Sequence, residues 1–381
     1  MKIVFTGGGT AGHFYPNIAI AENFNKILDR EKIIQAQLYY FSDTEYDKSA
    51  LYENQIKFVQ VPAGKIRVGG GGIQNFFDMF VTAYGICIAI FKLYSVYPDV
   101  VMAKGGYASF PTLFAARLLK IPVVIHESDS NPGRVSQWAG KFAQRVALSY
   151  EDAAPFFNSS KIALTGQPIR DELKNPAKEG VFDFYKLDPT IPVVLVLGGS
   201  QGAEIINNAV LDALPTLLPK YQIVHQTGMN NLESVKGQAD ITMTDNKKLL
   251  SERYRPIGFL NVLGMRMAGG ASSVVLTRAG STLFEIASWS TPSIVIPITT
   301  SQGDHQRKNA YTYARSGGCS VIEESNLSPA ILAQEVEKIL DDENRRHKMI
   351  EGAQKFMGAN NAAEVIAQEL LSIALSHENR G

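Results

Sequence analysis

The chain has 381 residues, 45% hydrophobic and 19% charged, with 37 Lys+Arg balanced by 37 Asp+Glu. This composition excludes a disordered chain, a collagen-like repeat and a basic sleeve for nucleic acid, and at about 100–200 residues per domain the length predicts two domains, each able to bury a core. Two cysteines, Cys87 and Cys319, make no disulfide framework and no Cys/His metal spacing accompanies them, which points to a reducing compartment.

Lys2 to Thr6 reads as a strand that runs straight into Gly7-Gly8-Gly9-Thr10-Ala11-Gly12-His13, with a helix expected from about Pro16 to Leu28. No apolar leader with a small-residue cleavage site precedes it, so the sequence predicts a protein that stays in the cytoplasm. Short apolar runs follow at 38–41, 58–61, 100–103, 123–125 and 146–148, each followed within three residues by Gly, Pro, Ser or Asp. Near-continuous apolar strands alternating with helices predict a parallel sheet covered on both faces. The longest uncharged apolar run, Met79 to Phe91, is shorter than the roughly 18–20 residues that span a bilayer. Around it, Lys65 and Arg67 precede Ile73, Phe76, Phe77, Met79, Phe80, Val81, Tyr84 and Ile88 at helical spacing. That pattern fits either a core helix behind a glycine turn or an interfacial helix flanked by basic residues.

Between Gly166 and Pro192 the periodicity dissolves into a polar stretch with Pro168, Pro176 and Pro189, which places the domain boundary there and predicts domains 1–165 and 166–381. A second strand–helix series opens with Val193 to Leu197, continues at 222–224, 273–276, 293–296 and 320–322, and ends in helices around 328–341, 344–357 and 361–376. The first domain carries 16 basic and 13 acidic residues, the second 21 and 24, an asymmetry that only permits an anionic partner for the first.

Glycine loops at strand ends carry the functional signal. Gly7, Gly9 and Gly12 have the Gly-x-Gly-x-x-Gly spacing that lets backbone approach an anion at a helix N-terminus. A dinucleotide site would also want an acidic residue after the second strand; Asp43 stands there, later than the usual interval of about 20 residues. The second domain repeats the device at Gly198-Gly199-Ser200-Gln201-Gly202. Either loop alone reads equally as a tight strand-to-helix turn, but two such halves together point to nucleotide chemistry. A third turn, Thr277 to Thr282, leads to Glu285, whose carboxylate suits a ribose or a helix cap. After Pro297 come Ser301 to Gln306 and Asn309, polar groups where an α/β sheet places ligands; His305 or Gln306 suits a sugar, and a solvated loop is the bland alternative.

The ordered set formed by Gly8 to His13 with Pro16, Gly105-Gly106-Tyr107 with Ser109 and Pro111, His126-Glu127 with Pro132-Gly133, Gly166 to Arg170, Gly198 to Ala203, Arg278 to Glu285, and Asp304-His305-Gln306 with Asn309-Ala310 resembles the inverting GT-B glycosyltransferases. Within that family it is similar to the N-acetylglucosaminyltransferases of peptidoglycan and cell wall synthesis, over nearly the whole chain. The resemblance implies an α/β GT-B fold: two Rossmann-like, doubly wound parallel-sheet domains facing a cleft, an acceptor and membrane-facing N-terminal domain, a UDP-sugar-binding C-terminal domain, and a last helix that packs back on the first. It implies inverting transfer of N-acetylglucosamine from UDP-N-acetylglucosamine to the 4-hydroxyl of muramoyl-pentapeptide diphospho-undecaprenol, at the cytoplasmic face of the cell membrane, with no nucleic acid, no cofactor and no metal.

By the same resemblance Thr10, Ala11, Gly12, Arg170, Ser200, Ser281, Thr282, Leu283, Glu285 and Gln306 would bind substrate, with Glu285 on the ribose and the main chain near Leu260 on the uracil. Many members carry Asn after the His-Glu pair; this chain departs from that with Ser128-Asp129, which puts the contact made by that amide in doubt and leaves Asp129 as a candidate for it. His13, at the start of a helix, is the candidate general base, with Glu127 and Asp129 as the other candidates, and Arg170 would add a cation for the departing UDP. The rival readings are another UDP-sugar enzyme of the same fold, such as a lipid glucosyltransferase or a UDP-N-acetylglucosamine epimerase, a non-catalytic sugar-nucleotide-binding protein, and an NAD-dependent oxidoreductase, in which the second glycine loop has no task.

Overall fold

The computed structural model describes residues 1–381 apart from 9, 66, 68–71, 200, 201, 300–303, 359, 360 and 379–381. The chain forms two compact units: Met1–Arg170 together with the last helix, and Asp171–Gly358.

The first unit runs β1 (Lys2–Thr6), α1 (Ala11–Glu31), β2 (Gln37–Ser42), α2 (Lys48–Glu53), β3 (Ile56–Gln60), α3 (Gly72–Val96), β4 (Val100–Ala103), α4 (Phe110–Leu118), β5 (Val123–Glu127), α5 (Arg134–Gly140), β6 (Arg145–Leu148) and β7 (Ile162–Leu164). Its strands form a parallel sheet in the order β3-β2-β1-β4-β5-β6-β7. Successive side chains alternate between two fully covered faces: Ile3, Phe5, Val100 and Met102 pack into one core, Val4, Val101 and Ala103 into the other.

The second unit runs α6 (Asp171–Lys174), α7 (Val181–Tyr185), β8 (Val193–Leu197), α8 (Glu204–Leu217), β9 (Gln222–Gln226), α9 (Leu232–Thr242), α10 (Lys247–Arg253), β10 (Tyr254–Ile257), α11 (Val262–Ala271), β11 (Val274–Thr277), α12 (Thr282–Ser288), β12 (Ser293–Val295), α13 (His305–Arg315), β13 (Cys319–Val321), α14 (Pro329–Leu340) and α15 (Glu343–Met357). Its parallel sheet has the order β10-β9-β8-β11-β12-β13. The last helix, α16 (Ala362–Glu378), packs on α1 in the first unit, where Arg30 pairs with Glu364 at 3.2 Å and Arg145 with Glu369 at 2.9 Å.

The units divide after Arg170, five residues beyond the sequence-based boundary, because Gly166 and Gln167 are hydrogen-bonded into the first unit. Strands β7 and β10 escaped the sequence reading. Both are edge strands: β7 is three residues long and largely exposed, and β10 contains Pro256, which an edge tolerates. Helix α1 starts at Ala11, not Pro16; Pro16 lies inside the helix, where the Asn17 side-chain amide donates to the carbonyls of Thr6 and His13, each at 3.2 Å.

Helix α3 also outruns the expectation. It continues through Asp78 and Lys92 to 25 residues, about 37 Å, and is by length and composition long and apolar enough to cross a membrane. Gly85, Ala89 and Leu93 are buried as it packs on α4, and Pro62 approaches so closely that a Cβ on Gly85 would lie 1.7 Å from the Pro62 carbonyl oxygen. The remaining surface of the helix leaves Ile73, Phe76, Phe77, Phe80, Tyr84 and Phe91 exposed.

Candidate functional site

In each sheet the order reverses between two central strands, β1 and β4 in the first, β8 and β11 in the second; a glycine-rich turn follows β1, β4 and β8, and a turn with one glycine, Gly280, follows β11. Ligands of open α/β sheets bind outside the carboxyl ends of strands at such a point. Neither α1 nor α8, the helices that follow the two long glycine loops, has a side-chain cap among the described residues, and a helix N-terminus of that kind suits an anion.

In the first unit, Thr10 precedes α1 and its Oγ1 lies 2.9 Å from His13 Nδ1. The His13 ring covers Gly106, at 3.4 Å from where a Cβ would lie, an ordinary contact; it is the φ of +80° that favours glycine there. Tyr107 beside it donates to Asp43 at 2.8 Å. Asp43 therefore orients the turn after β4, a task that the dinucleotide reading did not foresee. Ala11 and Gly12 form the half-buried first turn of α1, and Arg170 lies over the ring of Tyr15, 3.8 Å from its centroid.

Next to the first glycine loop is a polar cluster of which the sequence reading singled out His126, Glu127 and Asp129 but not Lys104. Lys104, fully buried at the end of β4, donates to His126 Nδ1 at 2.6 Å, to Ser128 Oγ and, at 3.4 Å, to Gln167 Oε1. His126 Nε2 faces the Gly166 carbonyl at 2.9 Å; since a carbonyl only accepts, Nε2 carries the proton and Nδ1 receives the ammonium. Burial, reinforced by the charge of Lys104, holds His126 well below the usual imidazole range. Burial also drives Lys104 down, opposed by Glu127 and Asp129. Glu127 is driven up by burial and then by Asp129, while hydrogen bonds from Ser136 and the Asp129 N–H, and the Lys104 charge, work the other way. Its carboxylate accepts the backbone N–H of Asp129 at 3.0 Å and of Gly133 at 3.3 Å, holding the turn that carries Asp129. A charged residue ending the apolar run 100–103 was the available signal.

In the second unit the expected residues follow four strands of one sheet edge. Ser200 lies outside the described residues, as do Gln201 and Ser301 to Gly303. Gly202, at φ +79°, sits where a Cβ would meet the Thr227 carbonyl at 2.0 Å. Ser281 and Thr282 open α12, half-buried, and Glu285 is half-buried one turn on. Leu283 is fully buried beside Ala279, Ala287 and Val295, and Leu260 is 5% exposed, so either can offer a ligand only main-chain atoms. Gln306 Oε1 accepts the Ile298 N–H at 3.2 Å, which leaves its amide hydrogens as donors. Asn309 donates to the Ala279 carbonyl at 3.2 Å and so ties α13 to the turn before α12.

Arg278, from the end of β11, clamps this edge: it donates to the Ile296 carbonyl at 3.1 Å and to Glu324 Oε1 at 2.7 Å, while Glu324 Oε2 accepts the N–H and the hydroxyl of Thr299 at 3.1 and 2.8 Å. Leu260 follows β10, three strands from β11, a separation of about 14 Å at the usual strand spacing. Among the described residues no three His, Cys, Asp or Glu gather as metal ligands would.

Residues 3–148 match the glycosyltransferase family 28 N-terminal domain and residues 193–370 the glycosyltransferase family 28 C-terminal domain. A Bacillus cereus protein named UDP-N-acetylglucosamine--N-acetylmuramyl-(pentapeptide) pyrophosphoryl-undecaprenol N-acetylglucosamine transferase 2 is 32% identical over 377 residues, covering 97% of this chain and 99% of the relative. Among solved structures, Acinetobacter baumannii MurG superposes with a TM-score of 0.70 at 22% identity, covering 97% of this chain and 99% of its own. The UDP-GlcNAc 2-epimerase of Neisseria meningitidis, bound to UDP-GlcNAc, reaches 0.66 at 16% identity, covering 98% and 100%. At those identities the two structures speak to the fold alone, which is GT-B.

Proposed function

Because the chain belongs to glycosyltransferase family 28, we infer that it is the peptidoglycan-synthesis enzyme that transfers N-acetylglucosamine from UDP-N-acetylglucosamine to the lipid-linked N-acetylmuramyl-pentapeptide. The observation that carries this reading is the 32% identity to the B. cereus transferase across 97% of one chain and 99% of the other.

The finer mechanism is our proposal. The 4-hydroxyl oxygen of the muramoyl residue attacks the anomeric carbon with inversion, the bond from that carbon to the diphosphate oxygen breaks with its electron pair leaving on UDP, and the acceptor proton passes to a base. His13 suits that base when its Nδ1 proton is donated to Thr10, since that tautomer leaves Nε2 as the basic nitrogen of the imidazole. In the first unit Thr10, Ala11, Gly12, Asp129 and Arg170 bind substrate. In the second, Glu285 takes the ribose, main chain near Leu260 the uracil, and Ser200, Ser281, Thr282, Leu283 and Gln306 the remainder of the nucleotide sugar. Proton removal by a positioned base typically accounts for about 10² to 10⁴ in rate.

The acceptor is held in a membrane, and the exposed apolar surface of α3, with Ile73 77% and Phe91 70% exposed, supports peripheral attachment through the first unit. Lys65, Arg67 and Lys92 suit an anionic headgroup layer. A helix packed along α4 by Gly85, Ala89 and Leu93 is better suited to lie in an interface than to cross it.

The test is UDP release from UDP-N-acetylglucosamine with and without a short-chain muramoyl-pentapeptide diphospho-lipid. Release by the wild type should depend on the lipid and fall by about 10²-fold or more in His13→Ala. UDP-sugar binding without lipid-dependent release would overturn the transferase reading.

A further inference from the structure

Arg170 has an unusual setting for a cation expected to bind substrate. Its guanidinium lies 3.8 Å from the centroid of the Tyr15 ring, and its Nε is buried with no hydrogen-bond partner among the described residues. The ring beneath it is held on several sides. The Tyr15 hydroxyl donates to Asp47 Oδ2 at 3.1 Å, and Asp47 is itself fixed as the cap of α2, accepting the Ala50 N–H at 3.1 Å. Phe14 and Tyr46 meet the ring edge-to-face at 5.3 and 5.9 Å. Burial, followed by the charge of Asp47, pushes the phenol up to about 12, so at neutral pH it remains a donor.

A carboxylate could also hold a guanidinium, but it would occupy two of the N–H donors and cancel the charge. An aromatic face holds the guanidinium through its π surface and leaves the edge N–H groups and the charge unspent. We propose that Tyr15 is a positioning residue, whose ring, fixed by Asp47, holds the Arg170 guanidinium so that its edge is presented to the diphosphate of a substrate. This rests on the reading above that Arg170 binds substrate. A diphosphate occurs in both UDP-N-acetylglucosamine and the lipid acceptor, and the experiment separates them.

Steady-state kinetics with each substrate varied in turn, and with UDP as product inhibitor, would be measured for the wild type, Tyr15→Phe, Tyr15→Leu, Arg170→Met and the Tyr15→Leu/Arg170→Met double variant. Tyr15→Leu should raise one KM by about 10-fold with a smaller change in kcat. A parallel rise in the UDP inhibition constant assigns the contact to the nucleotide, and a rise confined to the lipid assigns it to the acceptor; both support the proposal. Tyr15→Phe, which keeps the ring, should restore KM to within about threefold of wild type, and in the Arg170→Met background Tyr15→Leu should add nothing.

An equal effect of Tyr15→Leu in both backgrounds, or no effect where Arg170→Met raises KM, would overturn the inference while sparing the substrate role of Arg170. Unchanged KM values in Arg170→Met would overturn that role, and the inference with it. If Tyr15→Leu does not fold, as judged by its thermal midpoint, Tyr15→Met supplies similar bulk without a π face and takes its place throughout.

Discussion

Acid should weaken the second unit through His225. Its Nε2 lies 3.0 Å from Asn207 Oδ1 and its Nδ1 2.8 Å from the Tyr254 hydroxyl, while Asn207 donates its amide to the Thr227 carbonyl at 3.0 Å. An amide oxygen only accepts, so the imidazole proton is on Nε2 and Nδ1 receives the Tyr254 hydroxyl. A second proton would leave Tyr254 without an acceptor inside a fully buried site, and burial accordingly pushes His225 down to about 3. In the unfolded chain the same group titrates near 6.5. The unfolded state therefore binds more protons below pH 6.5, so stability is level above that pH and falls by up to ~1.4 kcal/mol per pH unit toward pH 3. Between pH 7.5 and 5 the expected loss is ~2 kcal/mol, and over the whole window ~5 kcal/mol.

The sequence has two tryptophans, so in a Trp138→Phe background Trp289, buried in the second unit with Nε1 bonded to the Leu173 carbonyl at 2.7 Å, reports that unit alone. Urea unfolding followed by its fluorescence would compare this protein with the same protein carrying His225→Gln, so that all other titrating groups cancel in the difference. At pH 7.5 the variant should be less stable by about 1–3 kcal/mol, and by pH 5 the gap should have narrowed by ~2 kcal/mol. A gap constant within about 0.5 kcal/mol from pH 7.5 to 5 would refute the reasoning, because it would mean that His225 does not resist protonation in the folded unit.

Two further predictions follow from the first unit. The charge of Lys104 lowers the proton affinity of Glu127, so Lys104→Met should move the Glu127 carboxyl titration, followed by infrared difference spectroscopy and assigned by its loss in Glu127→Gln, to higher pH; a titration left in place would reduce Lys104 to a packing role. Replacing Phe76, Phe77 and Phe80, all more than half exposed on α3, by serine should cut co-flotation with anionic vesicles by about 10-fold or more, while turnover of a detergent-dispersed short-chain acceptor stays within about threefold; undiminished flotation would dismiss α3 as the membrane contact.

The central strands were legible in the sequence because their context is local. β1, β4 and β8 are runs of apolar residues, buried on both faces, that end in Gly or in a Lys-Gly step, and the β-branched and aromatic pattern suffices to mark them. The two glycine loops were legible for the same reason, and with them the stretch from Thr10 to His13 and the turn leading to Glu285. The edge strands were not, since β7 and β10 lack a second covered face and so carry no continuous apolar run. Nor was the full reach of α3, whose two charged residues interrupt the sequence pattern but not the helix.

What tertiary structure alone decided are the contacts between residues far apart in the chain. Lys104 reaches His126 and Gln167, Tyr15 underlies Arg170, Arg278 bridges to Glu324, and α16 returns to α1. A strand's composition fixes that its ends will stand at a sheet edge, but which ends become neighbours depends on strand order. Only the order β2-β1-β4-β5 lines up Asp43, His13, Lys104 and Glu127 along one edge of the sheet, where burial and mutual charge tune Lys104 and Glu127.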